Sequence, residues 1–255
     1  MQRILIWTLF ISLAASAGAT TITILPATSV ANAYSEENAW ILSTFGTNFD
    51  ADILANFENF TASNTTGYNS LSTGAGTFSV MAGSQAGDPV QSNGTKKDQF
   101  TILNAGDTPF SGRYDTTPGG HNWLDTNDIT EIQLATSLNT LIFMITDVND
   151  CGGTLTIKTA DGTQSSAFAS YPAAKDGNLY FVAINSSKPL GDVWFLNNSN
   201  NDGFGLDDVG TVVDPPPPPK YTPTPEPGTL SLAGIGLAAI AVARKLKASR
   251  SRAGV

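Results

Sequence analysis

Between residues 33 and 213, apolar side chains occur in short runs that are separated by clusters of Asn, Asp, Gly, Ser and Thr. In the runs Leu155/Ile157 and Tyr180/Val182/Ile184, apolar and other positions alternate, which is the period of a half-buried strand. The pattern predicts strands at 53–60, 77–81, 100–103, 129–134, 141–146, 154–158, 179–184, 193–196 and 209–213.

Few segments of this region have a helical pattern. Only residues 36–42 and the stretch near Ser137 are compatible with a helix, and no repeat of fixed period is present. Many short strands with few helices predict an all-β domain over residues 20–213, an antiparallel β-sandwich or jelly roll of about nine strands. The uninterrupted apolar run 141–145 predicts a central strand covered on both faces.

Residues 1–19 have the order of charge, apolar run and small residues that is typical of a secretory signal peptide. Arg3 supplies the positive charge, residues 4–15 are uncharged and mostly apolar, and Ala17-Gly18-Ala19 offers small residues for cleavage. We therefore expect a signal helix that engages the Sec translocon and is removed after Ala19. A short buried helix at the N-terminus is the alternative interpretation.

The C-terminal region has three parts. Residues 214–227 hold eight of the chain's 14 prolines, which predicts an extended linker because proline fixes φ and lacks an N–H. Residues 230–243 carry no charge, and the basic residues Arg244, Lys245 and Lys247 follow. A membrane-spanning helix needs about 20 residues. We expect residues 228–255 to form a transmembrane helix with a cytoplasmic basic tail, provided that the stems of the first basic residues snorkel.

The net charge of −9 hides an uneven distribution. Residues 20–214 contain 21 acidic and six basic residues, a net charge of −15, whereas residues 215–255 carry +5. The acidic domain excludes a nucleic-acid partner, which would need a cationic surface. A single cysteine and a single histidine exclude an internal disulfide, a multi-cysteine zinc site and most histidine-based catalysis. No catalytic residues are predicted, and the chain is not expected to be an enzyme.

The C-terminus resembles a known sorting signal. Pro225-Glu226-Pro227, a glycine- and alanine-rich apolar segment and then Arg244-Lys245 are similar to the PEP-CTERM signal of Gram-negative bacteria. Residues 223–252 carry the resemblance. It implies processing near the Pro-Glu-Pro element by an exosortase, a membrane enzyme that resembles transpeptidases. It also implies that the membrane anchor is transient.

The folded domain resembles, more loosely, the ectodomains of PEP-CTERM proteins. The similar segments are 111–120, 146–153 and 202–209. The strand that contains Asp207-Asp208-Val209 is also similar to the closing strand of carbohydrate-binding jelly rolls. In those domains, a carboxylate near the end of the domain helps to hold a structural calcium ion.

A calcium site is predicted from oxygen-bearing residues near the end of the domain. These are Asn198, Asn200 and Asp202, which precede a glycine, then Asp207 and Asp208, together with Glu58 from the first predicted strand. A hairpin turn with solvated aspartates remains the alternative. In the segment 147–153, Cys151 is a poor ligand for a hard cation, so strand capping and a turn are expected there.

Residues 107–128 form the longest irregular stretch, and long loops on β-scaffolds often carry function. Arg113, Tyr114, His121 and Trp123 offer stacking and hydrogen-bond donors for a sugar. The favoured alternative is that Tyr114 and Trp123 fill the end of the sandwich while Arg113 pairs with a carboxylate.

These features predict an exported bacterial protein that is anchored transiently in the inner membrane and then placed at the cell surface or in the extracellular matrix. Its predicted role is structural or adhesive within the exopolysaccharide layer. Two alternatives stay open. One is a calcium-dependent carbohydrate-binding module, and the other is a glycoside-active enzyme that uses paired carboxylates.

Overall fold

The computed structural model describes residues 20–82, 84, 99–105 and 111–214. This part of the chain holds one helix and short antiparallel strands, so the all-β prediction is confirmed. The helix is α1 (Val30–Phe45). The strands are β1 (Thr21–Ala27), β2 (Asp50–Ala55), β3 (Gly67–Tyr68), β4 (Ser70–Thr73), β5 (Gly76–Val80), β6 (Phe100–Asn104), β7 (Asn122–Asp125), β8 (Glu131–Thr136), β9 (Thr140–Thr146), β10 (Leu155–Thr159), β11 (Gln164–Ser165), β12 (Leu179–Asn185), β13 (Gly191–Asn197) and β14 (Gly205–Val213).

The strands form two sheets. The eight-stranded sheet has the order β1-β12-β9-β14-β7-β6-β3, and β2 also pairs with β14. The six-stranded sheet has the order β11-β10-β13-β8-β5-β4. Consecutive strands often lie in different sheets, so the long-range pairings rather than local hairpins define the domain.

One hydrophobic core joins the inner faces of the two sheets. Phe143 of β9 and Phe195 of β13 meet edge to face, with ring centroids 5.5 Å apart. Both side chains are at most 2% exposed, and alternate residues along the same strands, such as Ile145 and Val193, belong to the same cluster. The period-two pattern in the sequence therefore marks the inward positions of both sheets.

Helix α1 covers the outer face of the eight-stranded sheet. It begins at the N-cap Ser29, whose hydroxyl accepts a hydrogen bond from the Asn32 N–H. Ala33, Trp40 and Ile41, which share one helix face, pack with Phe181 of the sheet in a second apolar cluster. This burial explains why the central strand β9 is buried at every position and apolar from residue 141 to residue 145, as its sequence predicted.

Each of the nine predicted strands overlaps a strand of the structure, but two expectations are wrong. The segment near Ser137 is a connection and not a helix. The first predicted strand stops at Ala55, because Phe57 has a φ of 59° and its carbonyl accepts the Phe60 N–H in a turn. The predicted helix 36–42 is part of the longer α1.

The predicted signal peptide 1–19, the linker residues 215–227 and the C-terminal helix and tail 228–255 lie outside the described residues. Within the ranges that the structure describes, no helix is both long and apolar enough to cross a membrane.

Truncation of the central aromatic pair tests the core. Phe143→Ala should lower the free energy of unfolding by about 3–5 kcal/mol, because a buried ring is lost and a cavity remains between the sheets. Leu42→Ala is the control, since this side chain is 54% exposed on α1 and its loss should change stability by only about 0.5 kcal/mol. Urea unfolding measures both. Equal effects would contradict a shared core between the sheets.

Candidate functional site

Buried carboxylates form two groups along the segment 111–120. The arginine cluster consists of Arg113 with Asp125, Asp128 and Asp147. The aspartate-pair cluster surrounds the consecutive residues Asp207 and Asp208 of β14, which are each 1% exposed. Buried charges need partners, so the contacts of each cluster show what it can do.

In the arginine cluster, one guanidinium serves three carboxylates. Arg113 Nη2 lies 2.8 Å from Asp128 Oδ1, Nη1 lies 3.4 Å from Asp125 Oδ1, and Nε lies 3.4 Å from Asp147 Oδ2. Asp125 ends β7, Asp128 occupies the turn that follows with a φ of 59°, and Asp147 comes directly after β9 with a φ of 65°. The cluster therefore joins the ends of two strands to the segment 111–120.

Burial and charge act in opposite directions on the pKa values in this cluster. Burial alone lowers the pKa of Arg113, but the charges of Asp125, Asp128 and Asp147 outweigh it and raise the pKa. Burial raises the pKa of Asp147 to about 7, although the Gly177 N–H and Arg113 oppose this shift. One cation thus compensates the three carboxylates only in part.

The predicted sugar-binding set is corrected at two positions. Trp123 is only 1% exposed within β7, and Arg113 is 6% exposed among its aspartates, so neither can present a face to a sugar. Tyr114 is half-buried, with its hydroxyl 3.4 Å from the Gly177 carbonyl, which accepts. His121 is exposed. The structure has the arrangement of the alternative, in which Arg113 pairs with carboxylates and the aromatic side chains fill the domain.

A β-bulge builds the aspartate pair. The register of β14 shifts after Asp207, and Asp208 has a φ of 49°. Leu206 and Val209 both belong to the core between the sheets. The extra residue therefore lets two successive carboxylates leave the core side of the strand, which strict alternation would not allow.

The aspartate pair is held by hydroxyl and backbone donors. The Thr116 N–H donates to Asp207 Oδ2 at 2.7 Å. The hydroxyls of Thr117 and Tyr34 donate to the Asp208 carboxylate at 2.6 Å and 2.5 Å. These hydrogen bonds connect β14 to α1 and to the segment 111–120.

Three groups in and around the aspartate-pair cluster bind their protons more tightly than usual. Burial and then the charge of Asp208 raise the pKa of Asp207 well above its ordinary value. Burial and the same neighbour raise the pKa of Glu37 on α1 to about 7. Burial and the hydrogen bond to Asp208 raise the pKa of Tyr34. The shifts follow from confining several acidic groups together in the interior.

The six predicted calcium ligands do not all contact the same groups in the structure. Glu58 Oε1 accepts the N–H groups of His121 and Asn122, both at 2.7 Å. Burial raises the pKa of Asp115, and the negative charges of Glu58 and Asp208 add to this rise.

Of the remaining predicted ligands, three lie between β13 and β14 and two lie in β14. Asn198 Oδ1 accepts the Thr154 N–H at 2.8 Å, and Asn200 is exposed. Asp202 Oδ2 accepts the Gly153 N–H at 2.6 Å, whereas Asp207 and Asp208 contact Thr116. The common calcium site stays a prediction, and in the structure Asp202 and the aspartate pair have different hydrogen-bond partners.

Three residues of the aspartate-pair cluster were not predicted as site residues from the sequence, namely Glu37, Tyr34 and Asp115. Glu37 carried a usable signal, because it lies on the apolar helix face of Ala33 and Ile41 and is only 3% exposed. A charged residue on the packing face of an amphipathic helix needs a special environment. Tyr34 and Asp115 carry no comparable signal, since their role depends on the bulge in β14.

The C-terminal segment of the chain matches a known protein family. The family model described as the PEP-CTERM protein-sorting motif matches residues 223–245. The chain carries a PEP-CTERM sorting motif. This PEP-CTERM protein is exported, and an exosortase sorts it to the cell surface. Pro225, Glu226 and Pro227 lie inside the matched residues, as do Arg244 and Lys245. No curated protein and no solved structure matches the chain.

Removal of the buried cation tests the arginine cluster. Arg113→Met should lower the free energy of unfolding by about 3–5 kcal/mol at neutral pH, because three buried carboxylates lose their positive partner. Lys175→Met, at an exposed position, is the control and should have little effect. Denaturant unfolding of the two variants gives the comparison, and equal stabilities would refute the assigned role of Arg113.

The pKa of Glu37 predicts a pH dependence. Its folded-state value of about 7 lies above the ordinary value of 4.5, so the folded state binds the proton more tightly. The free energy of unfolding should therefore fall as pH rises from about 5 to about 8. Asp147 and Asp202 shift in the same direction. Glu37→Gln should reduce this fall, whereas Glu36→Gln should not. Unchanged pH dependence in Glu37→Gln would contradict the assignment.

Proposed function

We propose that the mature protein is a non-enzymatic structural or adhesive component of the exopolysaccharide layer. In this proposal, the Sec translocon exports the chain, and the segment 228–255 anchors it transiently in the inner membrane. The exosortase then processes it near Pro225–Pro227, and the acidic domain remains at the cell surface or in the matrix. The sorting motif supports the route, and the outer face of the six-stranded sheet supports the role.

A row of five polar side chains and one tryptophan crosses all six strands of this sheet. Cross-strand pairing places its members side by side in the order Ser70, Ser79, Gln133, Trp194, Lys158 and Gln164. Their neighbours along each strand, such as Val193 and Phe195, point into the core. The row therefore lies on the face opposite the core, where α1 does not pack. This row is the observation that carries the proposal.

The chemistry of the row suits an extended polysaccharide. Trp194 is half-buried on this face, and Lys158 Nζ lies 5.8 Å from the centroid of its ring. An aromatic ring stacks on the apolar face of a sugar, and the neighbouring amide and hydroxyl groups offer hydrogen bonds to sugar hydroxyls. A row that crosses six strands can contact several sugar units.

The titratable groups of the described residues support a role without catalysis. Burial and the charge of Asp150 raise the pKa of the Cys151 thiol to about 11, which leaves little thiolate for nucleophilic attack. Asp207 and Asp208 are paired carboxylates, but both are 1% exposed and accept internal hydrogen bonds. A glycosidase needs two carboxyl groups that flank a bound sugar, so the glycoside-active alternative gains no support.

Strand pairing supports the finer interpretation of the domain as a jelly roll. β8 pairs with β13 in one sheet, while β9 pairs with β12 in the other. This nested pairing is that of a long hairpin folded over onto itself, from which a jelly roll is built. The second candidate function, a calcium-dependent carbohydrate-binding module, shares this architecture. It differs in requiring calcium for binding.

Substitution of the central aromatic residue tests the proposed contact with polysaccharide. The full chain should co-sediment with exopolysaccharide purified from the producing cells, and Trp194→Ala should lose much of this binding while its melting temperature stays close to wild type. Removal of a stacking aromatic side chain costs about 0.5–1.5 kcal/mol of binding, roughly a two- to tenfold loss of affinity.

Tyr171→Ala is the matched control, because Tyr171 is an aromatic residue that is 65% exposed outside the six-stranded sheet. Equal binding by wild type and Trp194→Ala would overturn the proposed contact surface. Loss of wild-type binding on addition of a chelator would favour the calcium-dependent module.

A further inference from the structure

Three carboxylates with the spacing of metal ligands lie at one end of the domain. One oxygen each from Asp147, Asp150 and Asp176 lies within 4.8 Å of the other two. Oxygens bound to the same calcium ion are at most about 5 Å apart, because each Ca–O distance is about 2.3–2.6 Å. The three groups can therefore reach a single ion.

The backbone brings these carboxylates together from distant parts of the chain. Asp147 follows β9 and Asp176 precedes β12, and the Gly177 N–H donates to Asp147 Oδ1 at 3.0 Å. The backbone of Gly112 packs against both carboxylates with a φ of 85°, and a Cβ atom there would overlap with their Oδ1 atoms. Gly112 thus closes one side of the group, while the exposed Asp176 leaves the other side open to solvent.

A fourth carboxylate beside the group, that of Asp202, has an oxygen without a hydrogen-bond donor among the described residues. Asp202 is 1% exposed, and its Oδ2 accepts the Gly153 N–H. Its Oδ1 is buried and accepts no hydrogen bond from the residues that the structure describes. The hydrogen bond from Gly153 places Asp202 beside the segment 147–153. A buried carboxylate oxygen without a hydrogen-bond donor is an unsatisfied acceptor, although the charge of Arg113 also acts on Asp202.

The charge balance favours a cation. Arg113 also reaches Asp147, but it shares its charge with Asp125 and Asp128. Asp150 and Asp176 bring two further negative charges to the same group, and the three carboxylates repel one another. Binding of a divalent ion would remove this repulsion.

We propose that the segment 147–153 binds one calcium ion, with Asp147, Asp150 and Asp176 as its carboxylate ligands and Asp202 as the fourth acidic neighbour. Calcium suits the group because it prefers oxygen ligands and tolerates irregular geometry. Zinc fits less well, because the available side chains are carboxylates rather than imidazoles or thiolates. The ion ties the connection that follows β9 to the turn before β12.

This site differs from the site predicted from sequence. Spacing within 147–153 argued against calcium because Cys151 replaces an oxygen ligand. The structure supplies a further oxygen from Asp176, which is remote in sequence. Glu58, Asp207 and Asp208 are not part of it.

Calorimetric titration of the full chain with calcium chloride tests the proposal. We expect one site with a dissociation constant of about 10⁻⁴ to 10⁻³ M, the range of extracellular calcium modules, and weaker binding of magnesium. Calcium should raise the melting temperature, and a chelator should reverse the rise. The double variant Asp150→Asn/Asp176→Asn should bind roughly tenfold more weakly or not at all, since affinity depends on the number of charged ligands.

The matched control is Asp50→Asn/Asp192→Asn, which removes the same charge at other positions and should bind calcium like wild type. Absence of calcium binding by wild type, or equal binding by the two double variants, would overturn the site. Both substitutions of the site lie at exposed or half-buried positions, so a folded variant is expected, and circular dichroism checks this. The result is independent of polysaccharide binding at Trp194, which lies on the other sheet.

Discussion

The buried guanidinium of Arg113 is the interaction on which the acidic end of the domain depends. It contacts Asp125 at the end of β7, Asp128 in the next turn and Asp147 after β9. Because these carboxylates are at most 7% exposed, the chain can bury them only with a cation or with bound protons. The position of the segment 111–120 follows from this pairing. Thr116 and Thr117 of that segment then reach the aspartate pair of β14.

Most strands were predictable from sequence because both sheets bury one face in the same core. Val193 and Phe195 point into this core at a spacing of two residues, and residues 141–145 of β9 are all apolar because α1 covers the outer face of that strand. The helix itself was recognised only in part, since its start depends on the N-cap Ser29. β7 was missed because it lies inside the irregular stretch 107–128, where its pairing with β6 and β14 defines it.

The candidate site was less predictable, because its geometry depends on a bulge and on contacts between distant segments. A strictly alternating strand would direct Asp207 and Asp208 to opposite faces, whereas the bulge at Asp208 keeps both out of the core. Asp176 is remote in sequence from Asp147, and no local spacing rule connects them. The C-terminal motif was predictable because its information is local and lies in consecutive residues.

The division of charge along the chain agrees with a division of roles. The basic residues are concentrated in the C-terminal segment that includes the end of the sorting motif, and the acidic residues lie in the domain that is exported. Mass spectrometry of the protein isolated from the cell surface tests this account most directly. We predict a mature chain that begins at Thr20 and ends near Pro225–Pro227. A surface protein that retains the sequence through Val255 would contradict it.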